Sequence, residues 1–119
     1  MIIGVPKEIK THEYRVGLTP TSVRELVSHR HQVIVEKGAG TGIGATDAVY
    51  EKAGARIGDP WEAELIVKVK EPQGPERARL QERQVLFTYL HLAPDPEQTE
   101  GLLRSGAICI AYETVTSPR

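Results

Sequence analysis

The sequence predicts an α/β fold in which a parallel sheet of about five strands carries helices on both faces. Two observations support this class. Short apolar runs of strand length recur along the chain, and between them lie segments with apolar residues at i, i+3 and i+4, the spacing of a helix with one buried face. Strands that alternate with helices are typical of parallel sheets, because a helix supplies the crossover that parallel strands need.

Five apolar runs are the predicted strands, and proline helps to bound them. Pro6 ends the first strand and Pro72 follows the third, because proline has no N–H group for the sheet and restricts the residue before it. The five predicted strands are residues 2–5, 32–36, 65–70, 85–90 and 107–112.

The first two predicted helices have clear start signals. Thr19-Pro20 supplies an N-cap and a proline at the first helical position, and this helix runs to about Arg30 without the usual terminal glycine. The second helix covers residues 46–53 and ends at Gly54.

Three further helical segments are predicted in the second half of the chain. A short turn begins at Asp59-Pro60, and residues 75–82, rich in arginine and glutamate, predict a short helix with a solvated face. The last helix follows Asp95-Pro96, directs Leu102 and Leu103 inward and ends at Gly106.

Composition favours one ordinary domain. The chain has 119 residues and a net charge of −1, so it presents no strong basic field for nucleic acid. The single cysteine, Cys109, cannot form an internal disulfide and is expected to be a buried, inert thiol. No apolar stretch is long enough for a membrane span, and no signal peptide follows Met1, so we expect a cytoplasmic protein.

Two lysines, Lys68 and Lys70, stand two residues apart at the end of the third predicted strand. In a strand they would share a face, and two ammonium groups at a strand exit favour an anionic ligand. The alternative is that both side chains reach solvent at the strand end. Because Lys70 is next to the exit at Glu71-Pro72, it is predicted to approach a ligand, whereas Lys68 lies deeper and contacts protein or solvent.

Residues 38–45 are rich in glycine and lie between a strand and a helix. Gly40, Gly42 and Ala45 match the spacing G-x-G-x-x-A of dinucleotide-binding loops. However, the helix cannot begin until about Thr46, and no acidic residue follows at the expected distance. We therefore interpret this stretch as a flexible loop and predict no cofactor-binding residue in the chain.

Three residues suited to carboxylate chemistry follow three different strands. Arg15 offers a planar fork for a carboxylate, Lys70 a point charge for a carboxylate or carbonyl oxygen, and His91 a group that titrates near neutral pH. Ligands of parallel sheets bind beyond the carboxyl ends of the strands, so these residues can meet there and would suit a 2-oxo acid undergoing reduction.

Each of the three also has a purely structural alternative. Arg15 could pair with Glu13 or Glu8, and His91 could simply end its strand. The other histidines have no partner pattern, and no metal-ligand spacing is present, so no metal site is predicted.

Four motifs in order give the sequence a strong resemblance to a known family. They are Gly4-Val5-Pro6-Lys7-Glu8 with Glu13-Tyr14-Arg15-Val16 and Thr19-Pro20, Val67-Lys68-Val69-Lys70-Glu71-Pro72, Leu86-Phe87-Thr88-Tyr89-Leu90-His91-Leu92, and Ala111-Tyr112-Glu113-Thr114-Val115. Over nearly its whole length the chain resembles the N-terminal part of bacterial L-alanine dehydrogenases, in the alanine dehydrogenase/transhydrogenase family.

The resemblance implies a function and a site. It implies a Rossmann-like or flavodoxin-like substrate domain over residues 1–119 and reversible, NAD-dependent oxidative deamination of L-alanine to pyruvate and ammonia. Arg15 and Lys70 would hold the substrate, and His91 would be the catalytic acid and base. The expected partners are the small-molecule substrate and further copies of the chain in a homo-oligomer, a hexamer in the family, with neither nucleic acid nor a membrane.

The sequence departs from the family in three respects. Family chains continue into an NAD-binding Rossmann domain, whereas this chain stops at Arg119, so the 119 residues alone are expected to be inactive. Arg30 and Pro94 also stand where the family more often has glycine and alanine. Two alternatives stay open: the NAD(H)-binding component of proton-translocating transhydrogenase, in which we would not expect Lys70 and His91, and a non-catalytic carboxylate-binding or oligomerisation module.

Overall fold

A computed structural model describes residues 1–88 and 96–111 of the chain. This part contains a six-stranded sheet whose neighbouring strands are all parallel. The strands are β1 Ile2–Val5, β2 Gln32–Val35, β3 Arg56–Ile57, β4 Leu65–Val67, β5 Val85–Thr88 and β6 Ile108–Ala111. Their spatial order is β3-β2-β1-β4-β5-β6, the doubly wound order of α/β domains. The predicted fold class is confirmed, with one more strand, β3, than the sequence indicated.

Within residues 1–88 and 96–111, four α-helices and two 3₁₀ turns connect the strands. The helices are α1 Pro20–Ser28, α2 Asp47–Lys52, α3 Gly74–Arg77 and α4 Pro96–Ser105, and the turns are Thr41–Ile43 and Pro60–Glu62. Thr19 and Thr46 are the N-caps of α1 and α2, and each hydroxyl oxygen accepts a backbone N–H of the first turn at 3.3 Å. The predicted starts of both helices are therefore confirmed.

The ends of α1 and α2 share one backbone motif but differ in its key residue. After α1, Arg30 donates its N–H to Val27 and His31 donates to Leu26, the hydrogen-bond pair of a Schellman motif. Arg30 therefore occupies the left-handed position, with φ of 70°. At the end of α2 the same position is taken by Gly54, with φ of 107°. The departure at Arg30 thus falls on a position whose backbone favours glycine.

The core has two parts, one on each face of the sheet. Adjacent residues of β4 divide between them, because successive side chains of a strand point to opposite faces: Val67 joins the first cluster and Ile66 the second. The first cluster contains Val23 of α1 and Tyr50 of α2, and the second contains Leu102 of α4. Helices therefore pack on both faces, as predicted.

The second half of the chain corrects two expectations about exposure. Leu102 is buried, but Leu103, which was also expected to face inward, is 78% exposed because it lies on the outer side of α4. Cys109 is half-buried rather than fully buried, and this burial raises the pKa of its thiol, which favours the neutral form. Among the described residues, no helix combines the length and the apolar character required to cross a bilayer.

Candidate functional site

The loops that follow β1, β2 and β4 leave the sheet at the same edge, because these strands are parallel. The direction of strand order reverses between β1 and β4, and ligands of open α/β sheets bind at such a reversal. A cavity of about 260 Å³ lies among the loops after β1 and β2. Its lining residues are Lys7, Glu8, Glu13, Tyr14, Arg15, Gly38, Ala39, Thr41 and Gly42.

Arg15 lines this cavity, and its guanidinium already binds a carboxylate of the chain. Nε donates to Oε2 of Glu13 at 3.0 Å, and Nη2 donates to Oε1 of Glu13 at 2.9 Å. The backbone N–H of Arg15 also donates to Oε2 of Glu13. The pairing with Glu13 that the sequence left open is therefore present. Nη1 takes no part in this contact with Glu13, and the Arg15 side chain is 65% exposed.

Glu13 links Arg15 electrostatically to Lys70. The hydrogen bond from Arg15 lowers the pKa of Glu13 from its usual 4.5 to about 2, and the charge of Lys70 adds a smaller lowering. Glu13 is therefore ionised at neutral pH. The structure thus brings two of the three predicted site residues, Arg15 and Lys70, to the same edge of the sheet.

Lys70 lies in the turn after β4 and is half-buried. Because β4 ends at Val67, the predicted strand was too long, and the two-residue alternation does not apply to the lysines. Two other elements hold the main chain of Lys70. Its N–H donates to Oε1 of Glu8 at 3.1 Å, and its carbonyl oxygen accepts the Thr88 hydroxyl at 2.7 Å.

Lys68 contacts protein, one of the two predicted environments for this deeper lysine, and it does not reach solvent. Its side chain is 1% exposed, and Nζ donates to Oε1 of Glu8 at 2.9 Å. Nζ also lies 3.0 Å from Oε2 of Glu76. A buried ammonium is tolerated because it is paired with carboxylates, so Lys68 is part of an interior ion-pair cluster, whereas Lys70 is half-buried.

Glu76 shows that the predicted solvated face of residues 75–82 is wrong at this position. α3 has only four residues, and Glu76 is buried against Lys68. Oε1 of Glu76 accepts the N–H of Gln73 at 2.9 Å, the return bond of a capping box. Burial raises the pKa of Glu76, and the charge of Lys68 opposes this shift. The spacing of Gln73 and Glu76 was the signal in the sequence that could have identified this residue.

His91, the third predicted site residue, lies outside the described residues. β5 carries the chain as far as Thr88, at the edge where Lys70 lies. The role of His91 as an acid and base, and its position relative to Arg15 and Lys70, therefore stay predictions.

Close packing accounts for two glycines of the loop after β2. A Cβ atom on Gly40 would lie 2.5 Å from the Ala45 carbonyl oxygen, and one on Gly42 would lie 2.2 Å from the carbonyl oxygen of Tyr14. The N–H of Gly38 donates to the carboxylate of Asp47 at 2.8 Å. The loop after β2 therefore packs against the segment that carries Arg15. The Gly38 N–H, which a bound phosphate could have used, already donates to Asp47.

No group of three His, Cys, Asp or Glu side chains within residues 1–88 and 96–111 is arranged to hold a metal ion.

Comparison with known proteins gives consistent relatives. The chain is 60% identical to the alanine dehydrogenase of Halomonas elongata, over 99% of this chain and 33% of that protein. It is 53% identical to the alanine dehydrogenase of Bacillus subtilis, over 100% of this chain and 32% of that protein. The chain thus spans about a third of the length of these relatives.

Solved structures agree with the sequence relatives. A structure of L-alanine dehydrogenase matches 99% of this chain and 34% of its own, with a TM-score of 0.96 and 53% identity. A transhydrogenase from Sinorhizobium meliloti matches 99% of this chain and 35% of its own, with a TM-score of 0.92 and 30% identity. The family model described as alanine dehydrogenase/PNT, N-terminal domain, matches residues 4–119. The chain therefore belongs to the family of alanine dehydrogenase/PNT N-terminal domains.

Proposed function

We propose that this chain is the substrate-binding part of an NAD-dependent alanine dehydrogenase, which converts L-alanine reversibly to pyruvate and ammonia. The observation that carries the proposal is the exposed fork of Arg15 in a cavity at the edge of the sheet from which the turn with Lys70 also leaves, in a chain of this family. Because the relatives are about three times longer, the activity is proposed for the full-length protein that contains residues 1–119.

Arg15 would bind the carboxylate of alanine or pyruvate. Glu13 holds the Nε side of the guanidinium, so the Nη1–Nη2 edge is available for a second, bidentate contact. In this arrangement Glu13 is not a competitor for the substrate but fixes the plane of the fork. A lysine would lack both edges, which supports arginine as the carboxylate-binding residue.

Lys70 and His91 would act at the reacting carbon. The ammonium of Lys70 would donate to the carbonyl oxygen of pyruvate and stabilise the negative charge that develops there. His91 would transfer the proton, since histidine titrates near neutral pH. NAD, bound elsewhere in the full-length protein, would supply the hydride acceptor.

The described residues do not fit the cofactor. The amide of Gly38 is bound to Asp47, Gly42 packs against the Tyr14 carbonyl, and the helix after the loop has only six residues. A pyrophosphate would find the Gly38 amide occupied and no long helix N-terminus here. NAD is therefore proposed to bind outside residues 1–119, and these residues alone are proposed to be inactive. The full-length protein is proposed to be a cytoplasmic homo-oligomer, a hexamer by resemblance.

The test is an assay of the full-length protein for alanine-dependent formation of NADH. Replacing Lys70 with alanine should lower kcat/KM for pyruvate by roughly tenfold to a hundredfold, because a charge-assisted hydrogen bond is lost. His91→Ala should lower kcat by about 10²–10⁴-fold. Lys52→Ala, at an exposed lysine near the end of α2, is the control and should leave the kinetics unchanged.

Two other results would replace this proposal. Hydride exchange between two nicotinamide nucleotides without any turnover of alanine would favour the transhydrogenase component. Binding of pyruvate without turnover, in a protein that also binds NADH, would favour a non-catalytic carboxylate-binding module.

A further inference from the structure

Glu8 connects two segments of the candidate site that are far apart in sequence. It follows β1 and begins the loop that carries Arg15. Its carboxylate accepts the N–H groups of Val69 and Lys70, each at 3.1 Å. One side chain thus binds the main chain of the Lys70 turn from the neighbouring strand exit.

The ammonium of Lys68 stabilises the buried carboxylate of Glu8. The side chain of Glu8 is 2% exposed, and an unpaired charge at that depth would be costly. The ammonium of Lys68, 2.9 Å away, compensates it. Glu8 therefore stays as an acceptor that can take two backbone N–H groups and an ammonium together.

Thr88 holds the same residue from the opposite direction. Its hydroxyl donates to the carbonyl oxygen of Lys70 at 2.7 Å, from the end of β5. The peptide groups on both sides of the Lys70 Cα are consequently fixed, one by Glu8 and one by Thr88. The direction in which the Lys70 side chain leaves the main chain depends on these two contacts.

We propose that Glu8 is a positioning residue for Lys70, assisted by Lys68, and that it sets the spacing between Lys70 and Arg15 for a 2-oxo acid. This inference rests on the proposed function. Glu8 lies in the wall of the cavity, but Lys68 and the main chain of the turn already bind both of its carboxylate oxygens, so it acts through that main chain. Misplacing Lys70 should therefore weaken the binding and turnover of pyruvate while leaving the affinity for NADH unchanged.

The test compares Glu8→Gln with Glu64→Gln in the full-length protein. Glutamine at residue 8 keeps the shape of the side chain but replaces one carboxylate oxygen with an NH₂ group, which cannot accept a hydrogen bond. The three donors of Lys68, Val69 and Lys70 then share a single acceptor oxygen. We expect kcat/KM for pyruvate to fall on the order of tenfold, with KM for NADH within about twofold of the wild-type value. Glu64 is the matched control, because its carboxylate also accepts a backbone N–H, that of Ile2 at 3.0 Å, at the opposite edge of the sheet. Glu64→Gln should not change KM for pyruvate.

Thr88→Val provides an independent variant if Glu8→Gln does not fold. It removes the hydroxyl that fixes the carbonyl of Lys70, and it should raise KM for pyruvate in the same way. An active wild-type protein whose folded Glu8→Gln and Thr88→Val variants both keep the wild-type KM for pyruvate would overturn this inference and leave the proposed function intact. A wild-type protein without alanine-dependent NADH formation would overturn the proposed function, and this inference with it.

Discussion

Gly42 packs against the backbone carbonyl of Tyr14, and a Cβ atom at residue 42 would lie 2.2 Å from that oxygen. Tyr14 immediately precedes Arg15, so the loop after β2 packs against the backbone next to the arginine. We predict that Gly42→Ala displaces this segment and raises KM for pyruvate, because small displacements of a substrate-binding group lower turnover strongly.

The control for Gly42→Ala is Gly58→Ala. A Cβ atom at residue 58 would meet its nearest neighbour at 3.5 Å, an ordinary contact, and the φ angle there is not positive. Steady-state kinetics on both variants decide the prediction. If Gly42→Ala kept the wild-type KM, the loop after β2 would have no part in placing Arg15.

Lys68→Met should destabilise the protein much more than Lys70→Met. Removing Lys68 leaves Glu8 and Glu76 buried without their cation, and breaking a buried pair from one side costs about 3–5 kcal/mol. Lys70 is only half-buried, so its replacement should act mainly on turnover. Chemical denaturation measures the free energy of unfolding of both variants, and equal losses would contradict the burial difference.

Glu76→Gln should change how stability depends on pH. Burial raises the pKa of Glu76 above 4.5, so between that value and the raised pKa the folded state binds more protons than the unfolded state. The contribution of Glu76 to stability therefore declines as pH rises through this window. Glutamine cannot titrate, so the wild-type protein should gain stability relative to Glu76→Gln on mild acidification.

Melting temperatures of the two proteins at neutral and mildly acidic pH test this expectation. Glu51→Gln, on the exposed side of α2, serves as the control and should follow the wild-type curve. A relative gain of the wild-type protein on raising the pH would have the wrong sign for a carboxyl whose pKa is raised.

Arg30→Gly should stabilise the protein by about 1 kcal/mol, because a left-handed backbone is strained for a residue with a Cβ atom. Arg30 is exposed at the end of α1, with φ of 70°, so little side-chain contact is lost. Gly44→Ala is the converse variant. Its φ is 77° and a Cβ atom there would meet nothing within 4 Å, so only backbone strain should make it less stable. Urea unfolding of both variants should therefore give shifts of opposite sign.

The sequence predicted the elements whose signals are local. Thr19 and Thr46 cap their helices through bonds to residues of the first turn, and such bonds can be inferred from neighbours in sequence. β3 was missed because it has only two residues, Arg56 and Ile57, too few for a period to be recognised. Its strand geometry depends on its pairing with β2, and this pairing cannot be read from the sequence.

The local Arg15–Glu13 pair could be anticipated from the sequence, but the buried ion pairs of Glu8 and Glu76 could not. Arg15 and Lys70 could be inferred from their places after two strands. Glu8 could not be connected to Lys68, because the contact joins residues 60 positions apart. The surrounding composition of α3 indicated a solvated helix, and only tertiary packing buries Glu76 there.

The seam between β1 and β4 has a consequence for the order of folding. Within each half of the sheet, β1–β2–β3 and β4–β5–β6, neighbouring strands are also consecutive in the chain. The seam alone joins strands from the two halves, so closing it carries the larger loop-closure entropy and should be a late event. The Glu8–Lys68 pair stands at this seam. A wrong register that buried both charges unpaired would be destabilised by electrostatics as well as by steric misfit.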